Sequence, residues 1–180
     1  MKKFFKIMLA AALVLAAVYA LRGDFSDFLR LIFPFDYRLE ISAAAVEYDL
    51  DPSLIAAVIK AESSFNKSAS SGVAHGLMQL TDDTAQFVAE KTGLDYEKRL
   101  EPRTNIRMGC YYLTYLVEKF GSTETALAAY NAGPSTVTRW LSDSEYTDDG
   151  VTLKQIPFAE TRKYVRRIGK YYEAYKKLYG

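Results

Sequence analysis

The sequence predicts a mainly α-helical domain behind a separate apolar N-terminal segment, and three observations carry that prediction. From Asp36 almost to the C-terminus, apolar residues recur at three- and four-residue spacing, as they do in helices that bury one face. The segments open on Asp, Ser, Thr or Pro, and several close on Gly, which are helix boundary residues. No alternating run is long enough to require a strand, and no internal repeat is present.

The N-terminal segment stands apart. Lys2, Lys3 and Lys6 precede an uncharged run from Ile7 to Leu21. A basic stretch before an apolar one is a secretory pattern, and Val18-Tyr19-Ala20 offers small residues for cleavage. The 15 residues of the run fall short of a comfortable span of ~20, although Phe4 and Phe5 extend it. Residues 1–21 therefore read as a signal peptide or an uncleaved signal anchor, both open. Lysines on the N-terminal side leave the rest of the chain outside the cytoplasm. Residues 22–35, with Phe25, Phe28, Leu29, Ile32, Phe33 and Phe35, read as an amphipathic juxtamembrane linker ending near Pro34. The folded domain is expected over residues 36–180.

Within it, Tyr37, Ile41, Ala44, Ala45 and Tyr48 mark one face of a first helix. Asp51 is an N-cap and Pro52 a first helical residue for the second, which runs to Ser63. Asn66 to His75, rich in Ser and Ala, reads as a loop. Thr81-Asp82-Asp83 cap a third helix that stops at Gly93, and Leu94 to Glu101 connect it to a fourth. Pro102 starts that helix, whose stripe is Ile106, Cys110, Leu113, Leu116, Val117 and Phe120 before Gly121. Ser122 or Thr123 caps a fifth, ended by Gly133-Pro134, and a short sixth reaches Trp140. Residues 142–157 lack periodicity and read as a long loop. Ala159 to Leu178 is a last helix dense in Tyr, Lys and Arg.

Composition excludes several functions. The formal charge is +1, but three of the 23 basic residues lie in the first 20, leaving 20 against 22 acidic ones. That balance carries no nucleic-acid footprint. Cys110 is the single cysteine, so the chain has no internal disulfide and no cysteine after the apolar run for lipid attachment. With His75 the only histidine and no acid cluster at ligand spacing, neither metal nor other cofactor is expected. Cys110 falls mid-stripe, where it reads as core rather than nucleophile. His75 reads as a loop residue rather than a base.

The chemistry points to Glu62. Leu54, Ile55, Val58 and Ile59 define an apolar face, and Glu62 falls on it, four residues after Val58 and three after Ile59. A carboxyl on an inward face loses hydration, which raises its pKa and fits it for general acid catalysis. An exposed or salt-bridged helix-end Glu is equally compatible with the periodicity. Beyond it, only Glu160, just after Ile156-Pro157-Phe158, is an acid beside an apolar stripe; Asp82 and Asp83 read as caps. Two further stretches, Gly76-Leu77-Met78-Gln79 and Ala128-Ala129-Tyr130-Asn131-Ala132-Gly133-Pro134, place amide and hydroxyl groups beside small residues. Such groups suit a sugar with N-acetyl substituents; each stretch is also compatible with a plain helix stop.

Together these residues resemble the catalytic domain of the soluble lytic transglycosylases (SLT), a branch of the goose-type lysozyme-like fold. The likeness runs from near Tyr37 to about Tyr164, about 70% of the chain. It takes in Asp51-Pro52, Ala61-Glu62-Ser63-Ser64-Phe65-Asn66, Gly76 to Gln79, Pro102 with Asn105-Ile106 and Gly109, Ala128 to Pro134, and Ile156 to Tyr164. The resemblance implies cleavage of the β-1,4 bond between N-acetylmuramic acid and N-acetylglucosamine in peptidoglycan, with Glu62 as the only catalytic carboxyl group, acid and then base. It implies glycan contacts from Met78, Gln79, Tyr130 and Asn131 and support from Glu160. Ser63 would orient Glu62 or close its helix, and Arg162 and Tyr164 would be structural. A substrate-contacting serine is matched by Ser71 counting forward from Glu62 and by Ser70 counting back from Gly76. The link after Glu62 is one residue shorter than the family's, and Val73 takes the place of a glycine. The partners expected are peptidoglycan strands, and the membrane where the N-terminal segment is retained, for a monomeric protein of the cell envelope. A hydrolase of the same fold, with Asp82 or Asp83 positioning water, and a non-catalytic glycan-binding protein are the alternatives.

Overall fold

The computed structural model describes residues 11–18 and 25–180. The chain divides into two compact units, Met1–Phe35 and Asp36–Gly180. In the first, residues 11–18 are helical (α1) and exposed, and Phe25–Ile32 forms α2, on which Asp27 and Arg30 pair at 3.5 Å. Among the described residues no helix is long and apolar enough to cross a membrane. The signal or anchor expected over residues 1–21 lies mostly outside the described residues, as do residues 22–24 of the linker.

The second unit is built of helices α3 (Arg38–Tyr48), α4 (Pro52–Glu62), α5 (Asp82–Thr92), α6 (Pro102–Phe120), α7 (Thr123–Ala132), α8 (Pro134–Leu141) and α9 (Ala159–Tyr179). Asp51 caps α4 by accepting a 2.7 Å hydrogen bond from the Ser53 N–H, and Pro52 occupies the first turn, where its missing N–H costs nothing. Ile55, Ala56, Ala57, Val58 and Ile59 have no exposed surface, so α4 is buried on nearly all sides. Each large aliphatic side chain enclosed this way stabilises the fold by about 1.5–3 kcal/mol. The helix α9 packs along it in the opposite direction: the Tyr172 hydroxyl donates to Asp51 at the start of α4 (2.7 Å), and the Tyr164 hydroxyl to Glu62 at its end (2.5 Å).

Capping follows the sequence. Thr81 and Ser122 accept from the N–H groups of Thr84 and Thr125, and Gly93 and Gly121 end their helices at φ of 74° and 68°. Three segments carry order that periodicity does not announce. Residues 66–75, expected as loop, end in a strand: β1 (Ala74–His75) pairs antiparallel with β2 (Leu80–Thr81), in register Ala74 to Thr81 and His75 to Leu80. Two-residue strands are too short to alternate visibly. A 3-10 turn, Tyr96–Lys98, lies in the connector before α6. The long loop 142–157 buries Thr147, Leu153 and Ile156 and folds around Asp149, whose carboxylate accepts from the N–H groups of Val151 (2.8 Å) and Thr152 (2.7 Å).

The buried face of α6 includes Asn105, Ile106, Met108, Gly109, Cys110, Leu113, Leu116 and Phe120. Gly109 is there for space. A Cβ on it would stand 2.3 Å from the Met78 sulfur and 2.8 Å from the Met78 Cβ. Gly109→Ala is therefore expected to lower the unfolding free energy by about 1–3 kcal/mol through overpacking, a change that denaturant titration of the parent and variant would measure.

Candidate active site

Glu62 closes α4 with its carboxyl largely out of water, and burial raises its pKa from 4.5 to about 7. Two groups pull the other way: the hydrogen bond from the Tyr164 hydroxyl and the positive charge of Arg167, both on α9. Among the described residues no second carboxylate adds to the rise; desolvation alone causes it. Tyr164 is itself buried, and its hydroxyl, like that of Tyr130, is held well above its ordinary pKa by burial first and then by the charge of Glu62. The three side chains thus form one electrostatic cluster supplied by α4, α7 and α9.

The backbone after Glu62 turns abruptly. Ser64 and Phe65 both take positive φ, 51° and 65°, which β-carbon-bearing residues avoid unless the surroundings impose it. Phe65 is buried against Tyr175 of α9, their ring centroids 6.3 Å apart, and this packing is what holds the turn. A third such residue, Gln79 at φ 45°, ends the stretch Gly76-Leu77-Met78-Gln79.

That stretch is fixed from below and above. The Met78 N–H donates to Asn105 Oδ1 at 2.8 Å, and the Met78 carbonyl accepts from the Tyr130 hydroxyl at 2.8 Å. Asn105, 1% exposed, also donates through Nδ2 to the carbonyls of Arg99 (2.8 Å) and His75 (3.4 Å). A Cβ on Gly76 would come within 2.5 Å of that amide, so glycine is required for the close approach. Gln79 Nε2 donates to the carbonyls of Ala69 (3.0 Å) and Gly76 (2.9 Å), which leaves its Oε1 as the end free to meet a ligand.

The remaining residues named from the sequence fall into place individually. The Ser63 hydroxyl donates to the Ile59 carbonyl at 3.1 Å and so closes the helix instead of reaching Glu62. Met78 has no exposed surface; its side chain packs beneath Gly109, which corrects the expectation that it lines a groove. Ser71 is exposed, its Oγ accepting from the Ala74 N–H at 3.2 Å, while Ser70 Oγ lies 3.0 Å from His75 Nδ1. Val73, in place of a family glycine, is 72% exposed, and the neighbouring Gly72 takes the positive φ of 88°. The substitution is tolerated because the side chain points into solvent. Asn131, at the end of α7, and Glu160, in the first turn of α9, line a common cleft of about 590 Å³ with Phe158. Tyr164 and Arg167 are the residues whose place in the site sequence reasoning missed. Tyr164 closes the stretch Ile156 to Tyr164 that resembles the family, but only the antiparallel course of α9 along α4 brings it to Glu62.

Other candidates recede. Burial drives the Cys110 thiol far above its ordinary pKa, as befits a core residue. Asp82 pairs with Arg99 at 2.9 Å on the surface, which holds its carboxyl below the usual range. A larger groove of about 1200 Å³ runs between the start of α4, α7 and α9, lined by Leu54, Leu127, Val165 and Ile168, and includes none of Glu62, Gln79, Tyr130, Asn131 and Tyr164.

The pattern of the Transglycosylase SLT domain matches residues 40–151. The chain belongs to this family. It is 36% identical over 165 residues to the soluble lytic murein transglycosylase of Salmonella typhimurium, an alignment covering 88% of this chain and 26% of that protein. Among solved structures it resembles the 70 kDa soluble lytic transglycosylase of Escherichia coli, with a TM-score of 0.74 and 31% identity over 84% of this chain and 26% of that one. It also resembles an inactive Glu-to-Gln mutant of the lytic transglycosylase Slt from Pseudomonas aeruginosa, with a TM-score of 0.73 and 36% identity over 83% of this chain and 25% of that one. The chain thus spans about a quarter of the length of each of these three relatives. Glu62, Gln79, Tyr130 and Asn131 lie inside the matched span, whereas Tyr164 and Arg167 lie beyond it.

Two outcomes follow from the Glu62 environment. Because its pKa is higher folded than unfolded, the native state binds the extra proton, and stability is full below pH 4.5 and declines as pH rises through about 7. Glu62→Gln removes that penalty, so denaturant titrations at several pH values should show the variant gaining up to about 3 kcal/mol over the parent above pH 7 and nothing below pH 4. Tyr164→Phe removes a hydrogen bond that favours the ionised form. The Glu62 pKa, followed by NMR titration of its carboxyl carbon, should then move above about 7.

Proposed function

We propose that this chain cleaves the β-1,4 bond between N-acetylmuramic acid and N-acetylglucosamine of peptidoglycan without water, leaving 1,6-anhydromuramoyl ends. The observation that carries the reading is a lone buried carboxyl whose pKa of about 7 leaves it about half protonated at neutral pH. Ordinary retaining and inverting glycosidases need a second carboxyl group, about 5–9.5 Å from the first. Here the substrate supplies what that group would do.

In the first step the protonated Glu62 gives its proton to the glycosidic oxygen as the bond to C1 breaks. The positive charge that develops at C1 is relieved by the oxygen of the muramoyl N-acetyl group. The Glu62 carboxylate then takes the proton of the C6 hydroxyl, whose oxygen closes onto C1. The proton lost in the first step is regained in the second, so the enzyme ends as it began. The reaction is that of a carbon–oxygen lyase and uses no cofactor.

The other residues bind and orient. Gln79 offers Oε1, and Asn131 its exposed amide, to the N-acetyl and hydroxyl groups of the strand, with Glu160 supporting from across the cleft. Tyr130 acts through the Met78 backbone and by excluding water from Glu62. Either Ser70 or Ser71 contacts the strand at the rim. The enzyme works outside the cytoplasm, as a monomer, tethered where its N-terminal segment is retained. Lytic murein transglycosylases among the relatives, and the inactive Glu-to-Gln mutant of one of them, support the same reading. Against a hydrolase, Asp82 is committed to Arg99.

Digestion of purified peptidoglycan followed by mass spectrometry tests the proposal: 1,6-anhydro ends are expected, and reducing ends would identify a hydrolase. Glu62→Gln should lower turnover by at least about a thousandfold while the variant still sediments with the glycan, since loss of a general acid removes 10²–10⁴-fold and here the base is lost with it.

A further inference from the structure

The N-cap of α9 is held by a residue that local stability does not favour. Phe158 stands there in extended backbone, φ −74° and ψ 121°, and makes no side-chain cap hydrogen bond. Ser, Thr, Asp and Asn are favoured at such positions because a side-chain oxygen accepts from the first turn. Asp51, Thr81 and Ser122 do so elsewhere in this chain. Core packing does not account for the choice either. Phe158 is 54% exposed, and among the phenylalanines whose burial is described it is the only exposed one.

The exposure is built into the fold. The Phe158 ring meets that of the buried Trp140 edge to face, with centroids 5.0 Å apart and planes at 84°. Ile156, two residues earlier, is buried, and its carbonyl accepts from Arg162 Nη1 at 2.7 Å, which pins the turn to the start of α9. Pro157 between them restricts the backbone further. The ring is thus anchored against α8 and also lines the cleft of about 590 Å³ that it shares with Asn131 and Glu160.

An aromatic ring at the edge of a polar cleft suits a pyranose. The C–H bonds on one face of a β-linked sugar form an apolar patch, while its hydroxyl and acetamido groups project from the rim. An aromatic face takes the patch, and a few placed polar groups take the rim. We propose that Phe158 is the platform on which an N-acetylhexosamine ring of the bound strand stacks, with Asn131 and Glu160 reading its polar rim. Tyr164, which holds Glu62, lies six residues further on, about 9 Å along the axis of the same helix. One rigid element therefore carries both the platform and the anchor of the carboxyl. The inference rests on the peptidoglycan reading above and adds to it a residue that sets where the strand sits.

Binding is measured by calorimetry in the full chain carrying Glu62→Gln, which prevents turnover. The probe is the stem-free tetrasaccharide of alternating N-acetylglucosamine and N-acetylmuramic acid. Trp140 is the single tryptophan of the chain, so its emission reports on the Phe158 side of the cleft. The Glu62→Gln chain should bind the probe with a change in that emission. Adding Phe158→Leu, which keeps an apolar contact for Trp140 but has no ring face, should weaken binding about tenfold, whereas Phe158→Tyr should bind as before. In the active chain Phe158→Leu should raise KM for soluble glycan strands with little change in kcat. Failure to bind the probe, undiminished binding with Phe158→Leu, loss with Phe158→Tyr as large as with Leu, a fall confined to kcat, or binding that leaves Trp140 emission unchanged would overturn the proposal. The products released by the parent judge the cleavage reading separately: a chain that binds through Phe158 but yields no 1,6-anhydro ends refutes that reading and leaves the platform standing.

Discussion

The antiparallel pairing of α4 with α9 is the constraint on which the site depends, and the hydrogen bond from Tyr164 to Glu62 is its anchor beside the carboxyl. This bond ties the end of α4 to the start of α9, while Tyr172 and Asp51 tie the opposite ends. Between these two bonds the helices lie antiparallel, and the apolar run Ile55 to Ile59 fills the space. Burying an ionisable carboxyl is costly unless it is hydrogen-bonded or neutral. The α4–α9 pairing makes both remedies available, a donor on α9 and an apolar wall that keeps the proton on. Packing that stabilises the fold and packing that raises the Glu62 pKa are therefore the same packing.

A second constraint holds the opposite wall. The backbone of Met78 is bonded on one side by Asn105 of α6 and on the other by Tyr130 of α7, and the absence of a side chain on Gly76 and Gly109 lets the stretch approach closely. Asn105 must accept from one N–H and donate to two carbonyls, which an amide does and a carboxylate does not. Gln79 emerges from this clamp in a left-handed conformation, and Ser64 and Phe65 leave α4 in another. Such backbone persists only where the packing around it overdetermines the conformation.

What the sequence made legible was local. Asp51 and Pro52 start a helix by chemistry confined to one turn, Gly93 and Gly121 end helices by their tolerance of positive φ, and the stripe of α6 is a matter of spacing. The inward face that carries Glu62 is set by the same periodicity, which is equally compatible with burial and exposure; α9 decides for burial by covering it. What stayed hidden was long-range. Tyr164 is 102 residues from its partner, and nothing in its own neighbourhood says which helix α9 will face. The family resemblance implies a groove contact for Met78, but the missing Cβ of Gly109 makes a pocket for it below the surface. The order in loop 142–157 comes from turns on Asp143 and Asp149 and from the bridge between Thr147 and Leu153, and such turns have no period.

The balance at Glu62 also explains why its environment is mixed instead of wholly apolar. On the mechanism proposed above, Glu62 first gives a proton and then takes one, which works best with a pKa near the operating pH. Burial without counterweight would keep the carboxyl protonated, a sufficient acid and a useless base. A hydrogen bond and a cation without burial would keep it ionised, a base with nothing to give. Tyr164 and Arg167 oppose the desolvation without cancelling it, and the result stands at about 7. One helix supplies both counterweights, so the position of α9 along α4 sets how far the Glu62 carboxyl is protonated.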